Sequence, residues 1–201
     1  MGRAAIVAAL SAMVIGVLLV AARTVTLSNA PKLIWGGGWM NAGYGSAVTG
    51  VPYTYGDLNP CVNKGSVTVL KITPTRSAGI TLDGWGSRPN PFDHGVTHIG
   101  AEDGGNKVAT VTEAGFHVGP RRVVNLCTDR STTRDKYPND FEFAVELRRT
   151  GAATGWAYGL TVTYRSGGGT HTAQWPMGYV LCGNTSPTYP TKTMDGLCNV
   201  H

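Results

Sequence analysis

Residues 141–149 read FEFAVELRR and residues 156–165 read WAYGLTVTYR, and both stretches alternate apolar side chains with polar or small ones. In the first stretch the apolar row comprises Phe141, Phe143, Val145 and Leu147; in the second it comprises Tyr158, Leu160, Val162 and Tyr164. Because successive side chains of a strand point to opposite faces of a sheet, the pattern predicts strands with one face in a core and the other in water. Glu142 and Glu146 are therefore expected on a solvent face.

Other short runs rich in β-branched and aromatic residues follow Ser66, separated by clusters of Gly, Pro, Asn and Asp. Such runs predict strands. They are expected at residues 66–73, 79–83, 107–112, 116–126 and 170–182. Residues 166–169, SGGG, predict a tight hairpin before the last of these strands. Pro176 lacks a ladder donor and predicts that this strand lies at an edge, is bulged or is split.

The fold class follows from these strands. No stretch after residue 23 has the apolar stripe of a helix, so the sequence predicts an all-β domain after one N-terminal hydrophobic helix. Each half-buried sheet face needs a second layer to cover it, which favours an antiparallel two-sheet sandwich of immunoglobulin-like architecture. A small β-barrel is the alternative.

The N-terminal segment 4–22, AAIVAALSAMVIGVLLVAA, has no charge and is flanked by Arg3 and Arg23. As a helix it would span roughly 28 Å, close to the hydrocarbon thickness of a bilayer. The apolar region of a cleaved signal peptide is shorter, about 7 to 15 residues, so a retained membrane anchor is favoured. Secretion after cleavage near residue 30 is the alternative.

The chain divides into three parts on composition. Residues 1–30 form the anchor or signal segment, residues 31–60 form a connecting segment rich in glycine and aromatic residues, and residues 61–201 form the β-domain, with a tail from about 183. The connecting segment shows no sustained period and is expected to be loop-like. Trp35 and Trp39 either lie at the level of the lipid headgroups or pack onto the domain.

Four cysteines, Cys61, Cys127, Cys182 and Cys198, all follow the apolar segment. An even count in an exported domain predicts two disulfides and an oxidising, extracytoplasmic compartment. Of the three possible pairings, Cys182 with Cys198 and Cys61 with Cys127 is favoured, because it holds the tail to the strand that precedes it. The cysteine spacing does not match a structural zinc site, and no cofactor is expected.

The charge balance is mildly positive. Without Arg3 and Arg23, fifteen basic residues stand against twelve acidic ones, a formal charge of +3. This charge is too small to indicate nucleic-acid binding. The pairs at 121–122 and 148–149, all arginine, would form a patch for an anionic polymer or a lipid headgroup if their strands were neighbours. Otherwise they are solvated pairs at strand ends.

The long connection 84–106 is the candidate ligand-binding loop, because long ordered loops often carry binding residues. The candidate binding residues are Trp85, Arg88, Phe92, His94 and His98. Trp85 alternatively packs against one end of the domain. A metal site formed by the two histidines with Asp93, Glu102 and Asp103 requires the loop to fold back, so no metal site is predicted.

No stretch carries a catalytic motif. Glu142 and Glu146 would lie about 13 Å apart along one strand, too far to act together on one glycosidic bond. We therefore expect an exported or membrane-anchored, non-enzymatic binding or structural module of the cell envelope, whose partner is a polymer, a lipid headgroup or a membrane protein. The alternatives are an extracytoplasmic metal-assisted hydrolase using residues 84–106 and a small subunit of a membrane complex.

Overall fold

The computed structural model describes residues 29–35, 40–89, 108–128, 141–185 and 187–198, and these are almost entirely β. The strands are β1 (Leu33–Trp35), β2 (Met40–Tyr44), β3 (Pro52–Leu58), β4 (Pro60–Val62), β5 (Val67–Ala78), β6 (Ile80–Pro89), β7 (His117–Val118), β8 (Arg121–Val123), β9 (Phe141–Arg149), β10 (Gly155–Ser166) and β11 (Gly169–Leu181). A 3-10 helix, Lys192–Met194, lies in the tail. The all-β class is confirmed.

The predicted anchor, residues 4–22, lies outside the described ranges. Within those ranges no helix is long and apolar enough to cross a membrane.

The strands form two larger sheets and one small pair. The five-stranded sheet has the order β2-β11-β10-β5-β8, the four-stranded sheet has the order β3-β9-β6-β7, and β1 pairs with β4. The pairing of β2 with β11 is parallel, whereas the other strand pairs are antiparallel. Buried side chains of both larger sheets, such as Val145 of β9 and Val162 of β10, belong to one hydrophobic core.

The chain passes between the two larger sheets at a tight corner. β5 ends at Ala78 and β6 begins at Ile80, with only Gly79 between them. β10 and β9 make the same crossing alongside, because they pair with β5 and β6. The Thr150 N–H donates to the Gly79 carbonyl at 3.1 Å. A Cβ on Gly155 would overlap that carbonyl, so glycine is required where the two crossings touch.

β10 and β11 form the predicted C-terminal hairpin. Ser166 pairs with Gly169, and the two turn residues, Gly167 and Gly168, have φ values of 54° and 81°. Two positive φ values in a two-residue loop suit a type I′ turn, whose twist matches that of the strands.

Three of the sequence predictions for local structure are wrong. The described part of 107–112 leads into a turn instead of forming a strand, and Gly119 and Pro120 divide 116–126 into two short strands. Residues 31–60, expected to be loop-like, contain β1 to β3 and the first residue of β4. These strands form without a clear alternation because pairing with distant strands, such as β2 with β11, stabilises them.

Of the two tryptophans in 31–60, the structure describes Trp35. The Trp35 ring lies 5.4 Å from that of Trp175 and packs against the core, which is the second of the two expected roles. Trp39 lies outside the described residues.

The predicted disulfides, Cys61–Cys127 and Cys182–Cys198, are both present. The first joins β4 to the segment after β8, and the second joins the end of β11 to the tail. Met194 of the tail is fully buried against the end of β11. Two disulfides indicate an oxidising environment.

Candidate functional site

Both faces of β9 are buried, which overturns the expectation that Glu142 and Glu146 face solvent. Their exposed fractions are 0% and 6%. Val111 and Phe116 pack against Ala144, which lies between the two glutamates on the same face. The turn that contains them therefore covers the face that the alternation assigned to water. Alternation within one strand cannot reveal a covering segment that comes from elsewhere in the chain.

The covering turn is closed by a reciprocal pair of hydrogen bonds. The Thr110 backbone N–H donates to the Glu113 carboxylate at 2.8 Å, and the Glu113 N–H donates to the Thr110 hydroxyl at 3.3 Å. This is a capping box, and its signature, Thr-Val-Thr-Glu, stands in the sequence at 110–113. The backbone hydrogen bond and the hydroxyl of Thr110 lower the pKa of Glu113.

Glu146 and Asp83 of the four-stranded sheet have close donors. The Val111 N–H donates to Glu146 Oε2 at 3.0 Å, and Arg148 lies 3.3 Å from Oε1 of the same residue. Arg148 also pairs with Asp83 at 2.5 Å. Burial alone would raise the pKa of Asp83, but hydrogen bonds from Arg148 and Thr81, together with the arginine charge, hold it below its usual value.

Arg88, a predicted binding residue, makes internal contacts. Its Nε donates to Glu142 at 2.7 Å, and its side chain is 13% exposed. Its guanidinium carbon lies 4.5 Å from the centre of the Phe116 ring, and Nη1 donates to the Ala114 carbonyl at 3.4 Å. Arg88 thus connects the covering turn to β9.

The remaining residues of the predicted loop site fall into two groups. Trp85 is partly buried against the core and stacks on Phe143 at 6.2 Å, and residues 84–89 belong to β6 instead of a loop. Phe92, His94 and His98 lie outside the described residues. In the ranges that the structure does describe, no three His, Cys, Asp or Glu residues are placed to bind a metal.

The two arginine pairs do not form one patch. Arg121 and Arg122 lie on β8 of the five-stranded sheet, whereas Arg148 and Arg149 lie on β9 of the four-stranded sheet. Arg149 is only 6% exposed and donates to backbone carbonyls, including that of Ala47 at 2.6 Å. The condition for a shared patch, that the two strands are neighbours, is not met because they belong to different sheets.

A shallow depression on the five-stranded sheet is a candidate ligand site among the described residues. Its volume is about 330 Å³, which falls within the range of small-molecule sites. It is lined by Thr75, Arg76, Tyr158, Gly159, Gln174, Trp175 and Pro176, which come from β5, β10 and β11. We call it the β-bulge depression.

The depression lies where β11 bulges at the proline, which is one of the three alternatives that Pro176 predicts. The register shifts between Tyr158 and Leu160, so that Pro176 and Met177 lie opposite Gly159 alone. A bulge of this kind bends its strand and redirects the side chains beside it. Consequently Tyr158, which the alternation placed in the core row, lies outside the main core, whereas Leu160 remains within it.

An aromatic ring and a cation form one side of the depression. The Arg76 guanidinium carbon lies 5.1 Å from the centre of the Tyr158 ring. Arg76 is exposed, and among the described residues no carboxylate pairs with it. Its hydrogen-bonding edge is therefore available to a ligand.

A hydrogen-bonded cluster forms the polar part of the same surface. Thr75 donates to Gln174 Oε1 at 2.8 Å, the hydroxyls of Thr75 and Thr161 lie 3.0 Å apart, and Gln174 Nε2 donates to Thr161 at 3.1 Å. The indole N–H of Trp175, which is 1% exposed, has no acceptor among the described residues. An aromatic face beside several hydroxyl and amide groups suits a ring ligand that bears hydroxyls.

Sequence analysis missed this site because its residues are far apart in the chain. Residues 75 and 76 meet residues 158 and 174 only through the pairing of β5, β10 and β11. The one local signal was Pro176, which marked the bulge.

Comparison with models of known protein families and with curated protein sequences found no match.

Proposed function

We propose that this chain is a non-enzymatic binding module of the cell envelope that holds a polysaccharide in the β-bulge depression. The observation that carries the proposal is the convergence of Tyr158, Arg76 and Gln174 from three adjacent strands. A sugar ring has apolar C–H faces and a rim of hydroxyls. The apolar part of the lining, which includes Tyr158 and Pro176, can contact the former, and the arginine and glutamine can hydrogen-bond the latter.

The finer architecture belongs to the same proposal. The single core shared by the two larger sheets supports a two-sheet sandwich of immunoglobulin-like architecture. The tight corner at Gly79, where both sheets continue into one another, supports the alternative of a small barrel. In either architecture the depression is formed by β5, β10 and β11 of a single sheet.

We also propose that residues 4–22 anchor the protein in a membrane with the β-domain on the extracytoplasmic side. The two disulfides support the extracytoplasmic side. Secretion after cleavage near residue 30 is the alternative. The intact mass of the protein from its native membranes distinguishes them, because cleavage gives a mass that begins near residue 31.

The binding proposal is tested by co-sedimentation of the full chain with insoluble polysaccharide from the envelope of the organism that produces it. The wild-type chain should sediment with the polymer. Tyr158→Ala and Gln174→Ala should each lower the affinity about fivefold or more, because each removes a ring or hydrogen-bond contact.

Val118→Ala is the matched control for these two variants. Val118 is 65% exposed and lies on β7 of the four-stranded sheet, away from the depression strands. Val118→Ala should leave sedimentation with the polymer unchanged. Unaltered sedimentation of both depression variants would show that the polymer binds elsewhere.

A further inference from the structure

We infer that the polysaccharide held by the β-bulge depression is acidic and that Arg76 anchors its carboxylate or phosphate groups. This inference rests on the proposed function and adds the charge class of the polymer. It is carried by three observations, which concern the charge of the sheet, the alignment of the basic residues and the contacts of Arg76.

The five-stranded sheet is purely basic. Its strands contain no Asp or Glu and five basic residues, Lys71, Arg76, Arg121, Arg122 and Arg165. The strands of the four-stranded sheet, in contrast, contain both signs: Asp57, Asp83, Glu142 and Glu146 as well as Arg88, Arg148 and Arg149. The small net charge of the whole chain therefore hides a separation of charge between the sheets. A surface of one sign attracts a ligand of the opposite sign.

Exposed basic residues continue the depression along its strands. Lys71 pairs with Thr163, which lies two residues from both Thr161 and Arg165 on β10. Side chains two apart share a face, so Lys71 and Arg165 lie on the face of the Thr161 cluster. Arg76 is five residues from Lys71 on β5, an odd spacing in a regularly paired stretch, so Arg76 belongs to the opposite row of side chains and reaches the depression beside the bulge. The basic residues on the face of the Thr161 cluster are thus Lys71 and Arg165.

Arg76 has the contacts expected of an anion-binding residue. Its guanidinium lies over the Tyr158 ring at 5.1 Å, which restricts its position, and among the described residues it has no carboxylate partner. A planar guanidinium donates two parallel hydrogen bonds to a carboxylate or phosphate. In Arg88, by contrast, the same group is paired with Glu142.

The polar cluster favours a glycan over a lipid surface. Thr75, Thr161 and Gln174 form a hydrogen-bonded set beside Arg76, and such groups match sugar hydroxyls. A lipid surface would interact with the basic residues alone and would not need these groups.

The test uses the full chain and the envelope polysaccharide of the preceding experiment in three forms. One sample is untreated, one has its carboxylates converted to methyl esters, and one has its phosphates removed with hydrofluoric acid. We expect one of the two treatments to weaken binding about tenfold, which identifies the anion, and we expect added salt to weaken binding to the untreated polymer.

Variants test the role of Arg76. Arg76→Gln should lower affinity for the untreated polymer about tenfold, and Arg76→Lys should recover part of the loss because it restores charge without the planar group. Lys64→Gln removes the same charge from an exposed residue between β4 and β5, and should change affinity less than about twofold.

The outcomes separate this inference from the proposed function. Equal binding of all three polymer forms would refute an acidic ligand and leave polysaccharide binding intact. Absence of binding to the untreated polymer, with binding to detergent micelles that contain phosphatidylglycerol, would refute both. If Lys64→Gln and Arg76→Gln lower the affinity for the untreated polymer equally, the net charge of the protein determines binding and there is no specific site at Arg76.

Discussion

At the scale of the residue, two arginines of this protein have opposite surroundings. Arg88 is 13% exposed and paired with a carboxylate whose side chain is fully buried, whereas Arg76 is exposed and lies over a tyrosine ring. A buried ion pair is sensitive to the loss of one partner, because the other charge keeps its desolvation cost. An exposed arginine has little such cost. Arg88 is therefore important to the fold, and Arg76 is available for binding.

Arg88→Met should lower the free energy of unfolding by about 3 kcal/mol, because it leaves the buried Glu142 without its arginine partner. Urea denaturation of the disulfide-intact protein measures this loss. The double variant Arg88→Met with Glu142→Leu should lose less than the two single variants together, since neither charge then remains.

Arg76→Met is the control for Arg88→Met. It removes the same side chain from an exposed position, and its effect on stability should stay within about 0.5 kcal/mol. Similar losses for Arg76→Met and Arg88→Met would mean that the Arg88–Glu142 pair contributes nothing specific.

At the scale of the element, β9 shows how a strand with an alternating sequence becomes buried on both faces. One face enters the main core, and the other is covered by the capped turn that contains Val111 and Phe116. The Glu146 carboxylate accepts the Val111 N–H at 3.0 Å, so the turn is held by a polar contact as well as by packing. The four-stranded sheet thus depends on a turn that forms no part of its ladder.

Phe116→Ala should lower the free energy of unfolding by about 3 to 5 kcal/mol, because the ring is 2% exposed and packs between the turn and β9. Hydrogen exchange should also accelerate at the Val111 amide, which would be released with the turn. Val118→Ala, two residues further on an exposed part of β7, should change neither quantity. An unchanged Val111 exchange rate in Phe116→Ala would show that the turn is held without the ring.

At the scale of the whole molecule, the two disulfides close loops of very different length. Cys61 and Cys127 are 66 residues apart in sequence, and Cys182 and Cys198 are 16 residues apart. A longer closed loop removes more conformational entropy from the unfolded chain. The first bridge joins distant parts of the β-domain, and the second holds only the tail.

Replacing Cys61 and Cys127 by serine should therefore lower the free energy of unfolding by about 4 kcal/mol. The same replacement of Cys182 and Cys198 should lower it by about 3 kcal/mol. Urea denaturation of the two double variants gives the comparison. Limited proteolysis should cut the tail after Leu181 early in the second variant and not in the first. A larger loss of stability in the second variant would contradict the loop-length argument.

The sequence by itself determined the all-β class, the strand Phe141–Arg149, the C-terminal hairpin and the presence of two disulfides. It also marked Pro176 as the position of an edge, a bulge or a split. These features depend on side-chain alternation, on turn residues and on the number and placement of cysteines, which can be recognised without knowing the strand partners.

Only the tertiary structure decided the strands β1 to β4, the burial of Glu142 and Glu146, and the β-bulge depression. None of the predicted site residues lines that depression, and its lining comes from strands separated by up to about a hundred residues in the chain. The physical reason is that burial and site formation depend on which distant segments pack together. A carboxylate next to water and a carboxylate under a covering turn have the same local sequence, and the contacts between segments determine which one forms.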